Sequence, residues 1–172
     1  DRFVENFCDN LYYGNGAKTS NMIMYSFHIL ERDLKPKTSS FLFPNSKTDA
    51  SQDHWADQND TNEPNYEKIR QDIVDDVDAV TGFSKIDSIG NLIPFAGTLN
   101  KKLGQLKPKT PESKSKEVLN NKNEYIQYKI QEDFFKDYNN QFKSWNSKCI
   151  DDRAKKLANQ IYDIIEKHSP KY

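Results

Sequence analysis

Apolar residues recur at helical spacing through the first part of the chain. Phe3, Phe7 and Leu11 stand four apart, which predicts a helix over 2–13 ended by Gly14-Asn15-Gly16. Ile23, Phe27, Leu30 and Leu34 follow at intervals of four, three and four, so a second helix is expected over 19–34. Between 35 and 63 the periodicity disappears, except for Phe41-Leu42-Phe43, a short candidate strand. A third helix is expected to begin at Pro64, to bury Tyr66, Ile69, Ile73, Val77 and Val80, and to be closed by Gly82. Residues 85–104 read as a short strand, a turn and a short helix, and 107–116, with two prolines and many charges, as a mobile loop. Two long helical patterns close the chain, 116–138 and 141–168, and in the second Trp145, Cys149, Leu157, Ile161 and Ile165 share a face. The order predicts an α+β, mainly α fold in which helices flank a small strand-bearing centre. No internal repeat is visible.

Composition narrows the class. Across 172 residues, 35% are apolar and 30% charged, which is polar for a globular chain, yet ten Phe, nine Tyr and two Trp can anchor a core. One ordinary domain with long wet loops is the expectation. The formal net charge of -1 hides a segregation. Residues 49–78 hold ten Asp or Glu against Lys68 and Arg70, whereas 98–129 hold eight Lys against Glu112, Glu117 and Glu124. A cation-binding half joined to a polyanion-binding half fits this pattern, and two solvated faces fit it equally. Cys8 and Cys149 lack zinc or disulfide spacing, which favours a reduced, cytoplasmic protein. No apolar run approaches the roughly 20 residues of a membrane span, so no membrane partner is expected. The chain starts at Asp1, directly in an amphipathic stretch, so a fragment of a larger protein is expected.

The centre carries the candidate chemistry. Asp53, His54, Asn91 and Asn100 each stand near a turn or the end of a short element. A carboxylate and an amide oxygen suit a hard cation such as Mg²⁺, and a neighbouring neutral imidazole can take a proton from water aimed at a phosphodiester. The metal would stabilise charge on the scissile phosphate. Spacing alone leaves open a solvated Asp-His pair and two turn-forming asparagines. His28 sits beside the second apolar stripe and reads as an ordinary helix histidine.

The run Asp53-His54-Trp55-Ala56-Asp57-Gln58-Asn59, followed by "SIGNLIPFAGTLNKKLG" over 88–104, resembles the HNH, or ββα-metal, nuclease motif. It is most similar to the C-terminal HNH domain of GmrSD-type restriction enzymes. A helix like "MIMYSFHILERDL" precedes the motif, and one like "WNSKCIDDRAKKLANQIYDII", with Trp145 and Arg153, follows it. The resemblance implies a single domain over 1–172: a helical flank (1–40), a ββα-metal core with an inserted helix (41–106) and a second helical flank (107–172). It implies Asp53 and Asn100 as ligands of Mg²⁺, or of Mn²⁺ or another divalent ion. His54 would be the general base, and Asn91 would orient the imidazole or tie the two strands together. Gln58 and Asn59 would shape the loop. Lys101 and Lys102 would meet DNA phosphates, although exposed lysines on a solvated face fit as well.

The implied activity is metal-dependent nicking or cleavage of DNA, as the effector part of a bacterial restriction or anti-phage enzyme. A DNA-sensing NTPase domain would precede it in the full protein, and a homodimer, or two sequential events, would be needed to cut both strands. A non-catalytic helical interaction module that keeps the finger as scaffold, and a nonspecific HNH nuclease toxin, are the alternatives. Trp55 stands where the pattern has a small aliphatic residue, and Asp57 where a proline is usual. The poor strand formers "KTDASQ" over 47–52 predict a short or distorted first strand.

Overall fold

The structure, a computed structural model, describes residues 2–14, 16–34, 51–59 and 63–169. The candidate strand at 41–43 lies outside these residues. The elements run α1 (Arg2–Asn10), α2 (Ala17–Leu34), β1 (Ser51–His54), α3 (Pro64–Asp75), β2 (Leu92–Phe95), α4 (Gly97–Gly104), α5 (Pro111–Asn120), α6 (Lys122–Tyr125), α7 (Lys129–Tyr138) and α8 (Ser147–His168). Single 3₁₀ turns at Lys85–Asp87 and Ile89–Asn91 lead into β2, and a 3₁₀ segment at Asn139–Ser144 precedes α8. Among the described residues the chain is mainly helical, with one small two-stranded antiparallel sheet. No helix among the described residues is long and apolar enough to cross a membrane.

β1 and β2 pair with Ser51 opposite Phe95, Asp53 opposite Ile93 and His54 opposite Leu92. Two four-residue strands are marginal by themselves, so this ribbon persists because both of its faces are covered. Strand alternation decides which residue meets which cover. Ile93 and Phe95 enter a core with Trp55, Ile73, Val118, Phe134, Phe142 and Trp145. Leu92 faces the other way, into a core formed with Leu11, Ile23, Phe27, Leu30, Ala154 and Leu157. Directly opposed residues share a face, so Ser51 and Asp53 belong to the first side and His54 to the second.

Several boundaries differ from the sequence pattern, each for a local reason. α3 stops at Asp75, and Val77 and Val80 are exposed rather than buried. Asp72, Asp75 and Asp76 load the end of that helix with negative charge against its dipole. The Asp78 carboxylate then accepts from the Val80 and Thr81 amides and the Thr81 hydroxyl, making a turn that Gly82 completes at φ +72°. Those bonds hold the Asp78 carboxyl below the usual carboxylate range.

The expected mobile loop at 107–116 instead contains the start of α5. Thr110 caps it by accepting from the Ser113 amide, and Pro111 fills the first turn. The single helix expected over 116–138 is three pieces. Between α6 and α7 the Gln131 side chain accepts from the Gln127 and Tyr128 amides, and the buried Glu31 of α2 accepts from the Lys129 and Ile130 amides. A carboxylate on the positive end of α7 thereby joins the two helices. Trp145 precedes α8 instead of lying on it, because Asn146 caps that helix. Ile165 is exposed, so the shared face ends with Ile161.

Candidate active site

The local order is strand, turn, strand, helix, with α3 inserted between the strands. Asp53 and His54 end β1, Asn91 immediately precedes β2, and Asn100 lies on α4. The Asn100 amide turns back onto β1, donating from Nδ2 to Ser51 Oγ at 2.7 Å and to the Gln52 carbonyl at 3.2 Å. Gln52 on the other face donates to the Ser20 carbonyl and fastens the strand to α2.

Asn91 is fully buried and bonds the segment after β1 to the turn before β2. Its Oδ1 accepts from the Ala56 amide at 2.8 Å and from Trp145 Nε1 at 3.1 Å, while its Nδ2 donates to the Ala56 and Ile86 carbonyls. The Asn91 carbonyl accepts from the Trp55 amide. Its side-chain bonds go to Ala56, Ile86 and Trp145, none of them to the His54 imidazole. Arg153 from α8 reinforces the same turn. It donates to the Gly90 and Leu92 carbonyls and lies 4.5 Å from the Phe134 ring centroid. Burial disfavours the cation, and these carbonyls and the ring face offset that cost.

The group that meets His54 is Asp87, which sequence reasoning missed. His54 Nε2 lies 3.1 Å from Asp87 Oδ1, with side-chain exposures of 11% and 22%. Gln58 donates to the same oxygen at 2.6 Å, and the Tyr13 ring stands edge-on to the imidazole at 4.9 Å between centroids. The Ser84-capped turn Lys85–Asp87 presents this carboxylate. Its only sequence signal was an acidic residue four positions before Asn91, too common to single out.

Asp53 faces a different environment. Its carboxylate is buried and accepts from Lys114 Nζ at 2.9 Å. Lys114 is fully buried, donates also to the His54 carbonyl, and has Asp57 Oδ2 at 3.6 Å. Burial raises the Asp53 carboxyl above its ordinary value, against the lowering by Lys114.

As arranged, this donor set does not fit a divalent ion. The Asp53 carboxylate is engaged by an ammonium, and the Asn100 amide nitrogen is turned to β1.

Trp55, the departure from the motif, is a core residue. It is fully buried and packs on Phe134, Phe135 and Phe142 at 5.0–5.4 Å between centroids. Asn59 bonds to Asp57 within the loop. Lys101 and Lys102 are exposed on α4, and Lys102 pairs with Glu124 of α6. His28 is partly buried on α2, which pulls its imidazole below the ordinary range. No family model, curated protein or solved structure matches the chain.

Proposed function

We propose that the chain is a phosphodiester-hydrolysing domain of HNH type acting on DNA, with His54 as general base. The observation that carries this reading is the His54–Asp87 pair, held at the partly open end of a strand within a strand-strand-helix finger. With Asp87 accepting from Nε2–H, Nδ1 is the ring nitrogen left to take a proton. Nδ1 takes a proton from water as the water oxygen attacks phosphorus, the bond to one sugar oxygen breaks, and solvent returns a proton to that oxygen. Lys101, exposed on the helix of the finger, is available to a phosphate backbone. A role as the effector part of a restriction or anti-phage enzyme belongs to the same proposal.

Incubation of the purified chain with supercoiled plasmid tests it. Conversion to the nicked form by the wild type, and its loss in His54→Ala, is the expected result. Equal nicking by the two proteins would remove His54 from the base role.

A second reading is favoured by the Asp53–Lys114 pair, which uses a motif carboxylate as a structural tie. Under it the finger is a scaffold for a non-catalytic helical module. A folded wild type that cuts neither DNA nor RNA, with or without divalent ions, would favour that reading.

A further inference from the structure

We infer that Lys114 is the resident cation of this finger, occupying on Asp53 the place that the HNH pattern gives to a divalent ion. Three observations converge on the same nitrogen. α5 begins at a Thr110 cap with Pro111 in its first turn, and this start directs Lys114 at the end of β1. The ammonium is fully buried, donates to Asp53 Oδ2 at 2.9 Å and to the His54 carbonyl, and has the Asp57 carboxylate as a second ion-pair partner at 3.6 Å. Asp57 is also the residue that stands where the motif has a proline, so the departure in the loop supplies a second carboxylate to the lysine. A divalent ion on Asp53 would have to displace this charge or sit against it, and repulsion at such short range in a buried setting opposes that.

The consequence for activity rests on the phosphodiesterase reading: cleavage by this chain runs without a metal on Asp53. Lys114 does not touch the substrate. It is a positioning residue that holds the main chain of His54, and through it the imidazole facing Asp87.

Paramagnetic broadening by Mn²⁺ of the backbone NMR signals of the wild-type chain tests the placement directly. No selective loss of the Asp53, His54 and Asn100 amide signals is expected, and Lys114→Met should introduce such a loss at millimolar Mn²⁺. Selective broadening of those signals in the wild type, abolished by Asp53→Asn, would overturn the inference, as would a folded Lys114→Met that stays blind to Mn²⁺. If Lys114→Met does not fold, the wild-type titration decides alone.

A plasmid assay separates this from the functional reading. Cutting undiminished by EDTA supports the inference, and cutting lost in EDTA and restored by Mn²⁺ overturns it. Absence of cutting under every condition overturns the nuclease reading, and the Mn²⁺ titration still decides on Lys114.

Discussion

The two faces of β1 receive adjacent residues of one motif and put them to opposite uses. On the first, Asp53 is sealed beneath α5 against Lys114, next to the aromatic core around Trp55. On the second, His54 meets Asp87, Gln58 and the ring of Tyr13, and part of the pair remains accessible. A carboxylate in a covered, low-dielectric place holds structure together, whereas an imidazole at a rim keeps a nitrogen for chemistry. Adjacency in sequence therefore does not make a dyad. On a strand it separates two groups.

Breaking the sealed face should have the largest effect. Lys114→Met leaves the Asp53 carboxylate buried without its counterion and is expected to cost roughly 3–5 kcal/mol, read as a lower midpoint in urea unfolding. The double variant Lys114→Met/Asp53→Leu should regain most of that loss, because an apolar pair replaces a buried ion pair without stranding a charge.

Asn91→Ala comes next. It removes the partner of the Ala56 amide and the Trp145 indole in a fully buried setting, for a loss of about 2–6 kcal/mol at about 1–3 kcal/mol per stranded group. Thermal unfolding by circular dichroism measures it, and a drop in activity without a drop in stability would instead give Asn91 a chemical role.

The open face should behave in the reverse way. His54→Ala is expected to reduce cleavage at least ~100-fold while changing stability by about 1 kcal/mol or less. Asp87→Asn, which weakens one charge-assisted hydrogen bond, should reduce the rate by roughly tenfold, with the change in kcat rather than KM.

The smallest effect concerns pH. Burial raises the Asp53 carboxyl, so the folded chain binds that proton more tightly than the unfolded chain. Its contribution to stability is therefore full below the ordinary carboxylate range of about 4 and falls as pH rises through the raised value. Asp53→Asn should remove that slope from urea midpoints measured across a pH series, and an unchanged slope would assign it to another group.

Much of the scaffold was legible beforehand. The intervals of four and three placed α1 and α2, and the Asn-then-strand order around 91–95 was visible in "GNLIPF". The misreadings have specific causes. Charge and proline made 107–116 look like a loop, although Thr110-Pro111 is a helix-start signal that outweighed both. Apolar periodicity ran past Asp75 to Val80, but three carboxylates ended the helix first. In 116–138 the periodicity was continuous while capping by Gln131 and Glu31 interrupted the backbone. Among candidate site residues, Asp53, His54, Asn91 and Asn100 were singled out by the resemblance of their two segments to a known motif, spacing alone being a weak signal. Asp87 and Lys114 were not, since each is one common charged residue remote in sequence from the group it serves.

By itself the sequence determined the two N-terminal helices, the start of α3 and the course of the last helix, because spacing, caps and turn residues act over a few positions. Only the tertiary structure decided the partners. Register placed Asp53 opposite Ile93 and His54 opposite Leu92, and two different covers then closed over the two faces. The pairing of Asp53 with Lys114 spans 61 positions and that of His54 with Asp87 spans 33. Contacts of that range follow from how the layers pack, which no local pattern of residues encodes.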